Sequence, residues 1–509
     1  MGAVTEGQLT AKADFEAGPV SSGAEPEGYG AAGYGRLQLA LILTAIFMVV
    51  LDFSIVNVAL ASIERELHFG ASSVQWVVTG YAITFGGLLV LGGRAADLYG
   101  RRLLFRSGMI LFTVASLAGG LAQGPVLLVA ARLFQGAGAA MVAPAALSLI
   151  TTGFAEGQPR ARALGAYGAT ASLGFVAGQV LGGFLVQLIS WRAVFLVNIP
   201  VGLVAIFLAP RLLQESRLTG RRARLDVGGA VLITFAIALL VLAVSEAGLN
   251  GLLSPVVLAA LALSAVSATA FVWVERRHSD PLVPLRLLHL QGLRNAGAMM
   301  VLVGLWNGGE LLVLSLYLQQ VLHDSPLVSG LIIAPQGVVG FVAGVFGARL
   351  MRRLGLQRLT LLTGAAAMIG FLVLTQLPSG GGYSPVLLAV VLVGFGTAGA
   401  SYVSMIGATN GMADSDQGFV GGAINTSRQI GAAVGAALLP AIAVAVSPGT
   451  GAASVAGDRA AMLAGAVVAG LAVIISLRVG MAARRTSVQV ELDEMPTGPV
   501  ELCHASSSA

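Results

Sequence analysis

The sequence predicts an all-α polytopic membrane protein with fourteen spans, on three observations. Apolar residues make up 56% of the 509 and charged ones only 10%, with a mean hydropathy of +0.87. That is far below the charge content of a soluble chain of this length. Fourteen apolar runs of roughly 18–25 residues can be marked, each long enough to cross about 30 Å of hydrocarbon. Their basic residues fall in alternate loops. Nineteen arginines, from Arg94 to Arg358, occupy the loops of one side, and the other side holds Arg65, Arg192 and Arg459. This asymmetry predicts a multi-pass protein of the cell membrane with both termini cytoplasmic. It also removes the nucleic-acid reading that a net charge of +5 invites.

Along the chain, residues 1–36 are polar and lack a basic region leading into a short apolar core. They read as a disordered cytoplasmic tail rather than a signal peptide. Six spans centred near Leu43, Thr84, Thr113, Ser148, Phe175 and Leu203 fill 37–213. Residues 214–294 hold two inserted helices, centred near Phe235 and Leu263, with flanking basic loops; Glu246 is their marked polar residue. Six more spans, centred near Val303, Val338, Met368, Val393, Val434 and Val468, fill 295–485, and 486–509 read as a second disordered tail. Cys503, in that tail, is the single cysteine, so no disulfide framework is expected.

An echo links the two six-span units. GGRAADLYGRRLL follows span two and GARLMRRLGLQRL follows span ten; aligning Gly100 with Gly355 gives an offset of 255 residues. The same offset sets Asp52 beside Asn307, three residues from Glu310. Parallel repeats around a central site produce such a pattern.

The fifth span carries Gly165, Gly174, Gly178, Gly182 and Gly183. At 3.6 residues per turn, Gly174, Gly178 and Gly182 share one stripe. In a soluble helix each would cost roughly 1 kcal/mol, whereas in a membrane a small-residue stripe lets a neighbouring backbone approach. The stripe is therefore a surface where two helices meet, as fixed packing or as a moving seam.

An ionisable side chain in hydrocarbon costs at least about 2.5–3.5 kcal/mol. Four stand within spans: Asp52 (LDFSIVNVAL, 51–60), Arg132 (ARLFQGAGAA, 131–140), Glu310 (WNGGELLVL, 306–314) and Arg428 (INTSRQIGAAVG, 424–435). At 1.5 Å per residue, Asp52 and Arg132 lie roughly 9 Å, and Glu310 roughly 12 Å, from the arginine-poor end. Similar depth leads us to expect these three in one cavity, lined also by Gln135, Trp306 and Asn307. Arg428 is expected to stand apart. Burial favours a neutral carboxyl and a guanidinium favours a charged one. The carboxyls can thus exchange protons against a cationic substrate, or the ion pair can merely hold helices together.

Asp97, with Arg101 or Arg102, flanks a turn at Gly100. This is either a latch between conformations or a solvated loop. Other chemistries are poorly served. The histidines, at 68, 278, 289, 323 and 504, all fall in loops or tails, which leaves no intramembrane cluster for a metal. No GxxxxGK[ST] loop is present for ATP.

At these residues the chain resembles the major facilitator superfamily, in particular its fourteen-span drug:proton antiporter branch. LDFSIVNVAL resembles that branch's first-span motif, with Ser54 for Thr and Ala61 for Pro. GGRAADLYGRR (92–102) resembles the loop signature, with Gly93, Asp97, Gly100, Arg101 and Arg102 in register. ARLFQGAGAA, WRAVFLVNIPVG (191–202) and QGFVGGAINTSRQIGAAVG (417–435) resemble further motifs. The glycine segment resembles the span-five motif of exporters, with Gln179 at its usual proline.

The resemblance implies the major facilitator fold: two six-helix bundles, 37–213 and 295–485, plus two extra central helices. It implies alternating access and export of hydrophobic, often cationic drugs or antibiotics in exchange for protons. Asp52 and Arg132 would serve proton coupling, Asp97 and Arg101 the latch, and the span-five glycines the interface with the other bundle. Expected partners are a small-molecule substrate, protons and the lipid bilayer, with no nucleic acid and no cofactor, and the chain is expected to be a monomer. A transporter of one metabolite, or a membrane enzyme or receptor on the same scaffold, are the alternatives.

Overall fold

The computed structural model describes residues 32–70, 73–155, 157–216, 225–278, 281, 290–378, 382–409, 414–446 and 454–493. Among them fourteen helices are long and apolar enough to cross a membrane, and no strand occurs. They are α1 (Gly35–Glu66), α2 (Trp76–Tyr99), α3 (Arg101–Gly120), α4 (Pro125–Gly153), α5 (Gln158–Leu188), α6 (Ala193–Leu212) and α7 (Val227–Asn250). There follow α8 (Pro255–Arg277), α9 (Gln291–Val321), α10 (Pro326–Gly347), α11 (Arg349–Leu374), α12 (Ser384–Ala408), α13 (Val420–Val446) and α14 (Val455–Leu477). Each centre expected from hydropathy falls inside one of these helices. Helix also runs into both segments read as tails, from Ala32 at one end and to Asp493 at the other. Residues 1–31 and 494–509, with Cys503, lie outside the described residues, as do Arg217, Arg221, Arg222, Arg224, Arg286 and His289 of the basic loops.

Helices α1–α6 pack around one apolar core, containing Tyr81, Phe105 and Phe112, and α9–α14 around another, containing Trp306, Tyr317 and Phe371. The echo has a backbone counterpart. Gly100, between α2 and α3, has φ 121°, and Gly355, between α10 and α11, has φ 72°. Both angles suit glycine because it lacks a Cβ. The residues aligned from sequence therefore make equivalent reversals in the two units.

The glycine stripe of α5 lies against α1 of its own unit. A Cβ on Gly174 would stand 2.9 Å from the Phe47 carbonyl oxygen, and one on Gly178 would stand 2.7 Å from that of Leu51. One on Gly182 would stand 3.0 Å from that of Ile55. Glycines and carbonyls both recur every four residues, so the two helices run in parallel register with their backbones in contact. This corrects the expectation that these glycines hold the interface between units. Gly183 alone among them meets the other unit, 2.6 Å from the Pro326 carbonyl oxygen of α10 in the same construction, and Gly165 has nothing within 4 Å. In the second unit α9 and α13 meet in the same way, with Gly431 against the Val301 carbonyl and Gly435 against that of Leu305.

Gln179 sits in an unbroken helix. Its Nε2 donates to the Ser54 carbonyl at 3.4 Å, and Ser54 Oγ donates to the Phe175 carbonyl at 3.0 Å. Phe175 is the residue whose carbonyl a proline at 179 would leave without its helical donor. The serine of α1 already supplies that carbonyl with a second one.

The two units meet along α5–α10, α2–α13 and α1–α9. Their close approaches lie toward the arginine-poor end. Gly330 faces the Gln179 carbonyl, and Ala82 and Ile83 pack with Ala433 and Ala437. Toward the arginine-rich end, Gly165, Gly168 and Gly344 have nothing within 4 Å. The inserted α7 covers the α2–α13 seam: Gln75 Nε2 donates to Ser245 Oγ at 2.7 Å, and Gly248 lies against Ala441. Helix α8 packs on α7.

Gly178→Leu forces α1 and α5 apart and is expected to lower the folded yield sharply on size-exclusion chromatography, as overpacking of about 1–3 kcal/mol or more would. Gly165→Ala should leave yield and melting temperature unchanged. Gln179→Pro is expected to be tolerated alone and to become costly together with Ser54→Ala. A double-mutant cycle on melting temperature with no coupling between the two would refute this account of residue 179.

Candidate functional site

Helix α1 turns Asp52 into the interior of its unit, where α2, α3, α4 and α6 converge on it. Asp52 and Arg132 are both fully buried, and Arg132 Nη1 lies 2.5 Å from Asp52 Oδ2. A carboxylate out of water must be surrounded by donors. Asp52 Oδ1 accepts from Gln135 Nε2 at 3.1 Å and from Asn198 Nδ2 at 2.8 Å. Gln135 and Arg132 stand one helical turn apart on α4, and Gln135 Oε1 accepts from Arg132 Nη1 at 2.9 Å while its Nε2 also donates to Ser116 Oγ at 2.8 Å. The guanidinium is held from below as well: Nε donates to the Val77 carbonyl at 2.8 Å, and the Tyr81 ring lies 4.5 Å away. Its Nη2 has no hydrogen-bond partner among the described residues.

Gln135 is therefore part of this charge cluster and, fully buried, lines no open cavity. Asn198 and Ser116 complete the cluster and are absent from the sequence-based assignment. Asn198 stands in WRAVFLVNIPVG as an amide within an apolar span, which is the signal that could have singled it out. Ser116 carries no such signal, since serines are common in membrane helices.

Glu310 lies in the core of the second unit. It is fully buried, its Oε2 accepts from Gln336 Nε2 of α10 at 2.9 Å, and its Oε1 has no hydrogen-bond partner among the described residues. No hydrogen bond or ion pair joins it to Asp52 or Arg132 among the described residues, and all three side chains are fully buried. Trp306, also fully buried, donates to Thr397 Oγ1 of α12 at 2.9 Å, and Asn307 beside it is half-buried. Arg428 is less remote than expected. It donates to Asn425 Oδ1 at 3.1 Å and lies within electrostatic range of the Tyr81 and Tyr167 hydroxyls. It thus approaches the Asp52 cluster from the second unit, across Tyr81.

At the arginine-rich end, Arg101 Nη2 lies 3.0 Å from Asp97 Oδ1. Arg101 also donates to Ser216 Oγ at 3.3 Å, and Glu215 accepts from the backbone amides of Arg102 and Leu103 at 3.1 and 3.2 Å. A carboxylate at a helix N-terminus satisfies amides that have no partner within the helix. Glu215 fits there because Gly100 leaves it room, and Gly93 touches Pro144 of α4. These contacts tie the α2–α3 turn to the segment after α6, within one unit.

The family model of the Major Facilitator Superfamily matches residues 42–436. The chain is 40% identical to the cephamycin export protein CmcT of Amycolatopsis lactamdurans, over 79% of this chain and 83% of that one. It is 39% identical to the puromycin resistance protein pur8 of Streptomyces alboniger, over 87% and 88%. It is 35% identical to the multidrug resistance protein Stp of Mycobacterium tuberculosis, over 80% and 76%. Among solved structures, an auto-inhibited peptide transporter of the POT family superposes with a TM-score of 0.64 at 15% identity, over 88% of this chain and 97% of that one, which supports the fold. The buried charge cluster inside paired six-span units, the fourteen spans and these similarities agree: the chain is a transporter of the Major Facilitator Superfamily.

Proposed function

We propose that this transporter exports hydrophobic, often cationic antibiotics or related compounds across the cell membrane in exchange for protons, by alternating access. The observation that carries the proton coupling is the fully buried Asp52–Arg132 pair. A proton arriving on Asp52 would leave Arg132 buried without its counter-charge, so protonation demands rearrangement of the five helices that hold the cluster. The antibiotic class rests on the export and resistance proteins that the chain resembles. Glu310, with one oxygen lacking a hydrogen-bond partner among the described residues, is a second carboxyl able to bind a proton or a substrate cation.

Stoichiometry then matters. One charge moving through 100 mV yields ~2.3 kcal/mol, enough for a gradient of roughly fiftyfold. A monovalent cation exchanged for one proton moves no net charge, so the pH gradient alone would drive it.

In a host lacking its own exporters, expression is expected to raise antibiotic tolerance and lower dye retention, and a protonophore should abolish both effects. Asp52→Asn should reduce drug-driven proton flux in proteoliposomes to background and lower stability by about 3–5 kcal/mol, because Arg132 is left unpaired. Asp52→Asn with Arg132→Leu should recover most of that stability and none of the flux; flux equal to wild type in either would refute the assignment. Glu310→Gln is expected to lose cationic substrates selectively, and equal loss of neutral ones would argue against charge recognition at α9.

A further inference from the structure

Of the two arginines within spans, Arg132 has a counter-charge in Asp52. Arg428 has none. Among the described residues it makes one hydrogen bond, from Nη2 to Asn425 Oδ1 at 3.1 Å, and no ion pair. Its place is deep. The Arg428 carbonyl lies against Gly304, thirteen residues beyond Gln291 in α9. A Cβ on Gly86, ten residues beyond Trp76 in α2, would stand 2.7 Å from the Cβ of the next residue, Gln429. At 1.5 Å per residue these neighbours lie roughly 20 and 15 Å inside their helices. A guanidinium at that depth is costly to keep without an anion.

The head group reaches across to the first unit. It lies within electrostatic range of the hydroxyls of Tyr81 on α2 and Tyr167 on α5. The Tyr81 hydroxyl donates to the Val49 carbonyl at 3.4 Å, whereas that of Tyr167 makes no hydrogen bond among the described residues. Arg428, Asn425 and Tyr167 are each half-buried, so the group between the units is not sealed. Asn425 stands one turn before Arg428 and takes a single hydrogen from Nη2. A guanidinium has five N–H donors, so a complete fork remains. Two parallel donors of that fork match a carboxylate. The Tyr81 ring continues into those of Phe53 and Phe85, with centroids 6.1 and 5.7 Å away, and forms an apolar wall on the same side.

We propose that Arg428 binds the carboxylate of an amphipathic substrate, with the Tyr167 hydroxyl as a further donor and the aromatic wall against the apolar body. The proposal rests on the export reading and deepens it, adding a class of substrate that neither Glu310 nor the cancelled Asp52–Arg132 pair would hold. The missing counter-charge of Arg428 is then supplied by the cargo. The sign also suits export, because an inside-negative membrane potential drives an anion outward.

The test measures binding to the purified full chain by titration calorimetry at about pH 7.5, where carboxyls are ionised. The probes are fusidate and 9-anthracenecarboxylate, each against its own methyl ester, which keeps the body and removes the charge. Wild type is expected to bind at least one acid tenfold or more tighter than its ester. Arg428→Gln should bring that acid to the affinity of the ester and leave the ester unchanged. Tyr167→Phe should weaken the acid about threefold. No preference for either acid in the wild type, a preference that survives Arg428→Gln, or equal loss of acid and ester overturns the proposal. Should the glutamine variant not fold, Arg428→Lys keeps the charge and removes the fork, and wild-type affinity for the acid there overturns it as well. Because binding is measured without a gradient, selective binding with no export of either acid from cells would leave the site standing and overturn the export reading.

Discussion

A carboxylate and a guanidinium taken out of water together are the constraint around which the first unit is built. Each ion loses several kcal/mol of hydration, and their attraction offsets that loss only where the remaining donors and acceptors are also matched. Asp52 achieves this with three donors from two helices, and Arg132 with a carbonyl of α2 and the face of Tyr81. The side chains and carbonyl concerned come from α1, α2, α3, α4 and α6, so no one of these helices can shift without breaking a hydrogen bond of the cluster. The close backbone fit of α1 on α5 adds the sixth helix to the same rigid group. Such a unit moves as a body or not at all.

The second unit repeats the frame and lacks the buried ion pair. Its α9–α13 contact reproduces the α1–α5 contact, with carbonyls four residues apart facing glycines four residues apart. Where α1 sends Asp52 to α4, α9 sends Trp306 to Thr397 of α12. Its acid, Glu310, sits one turn further along and meets a single amide donor. The first unit thus carries a pair that is costly to separate, and the second a lone carboxyl with an unused oxygen. The frame is even and the chemistry it carries is uneven.

How much of this was legible in the sequence follows from the range of each interaction. Helix number and limits follow from hydropathy, which is local, and every expected centre fell in a helix. The Gly100–Gly355 echo was legible because positive φ restricts residue type at a single position. The Asp52–Arg132 pair was suggested by the cost of each charge in hydrocarbon. The role of Asn198 and the separation of Glu310 from Asp52 were not legible, because depth along a span says nothing of which way a side chain points around it. The glycine stripe showed that a backbone approaches α5 and could not show whose: α1 and α10 both pack on that helix, and both offer small or flexible contacts.

Helix α7 constrains how the units can move. It is the inserted span with almost no polar residues, yet it touches α2 and α13 at once, at the seam between the two units. Its contacts there are with small or aliphatic groups: Ile237 and Val241 against Ala82, Ile83, Ala433 and Ala437, and Gly248 against Ala441. Dispersion contacts between such groups are individually weak and are recovered after a slide of one residue, whereas a hydrogen bond is lost outright. The hydrogen bond from Gln75 to Ser245 lies on the α2 side. Helix α7 is therefore joined to the first unit by a polar contact and to the second by close apolar ones, so it bridges the seam from both sides.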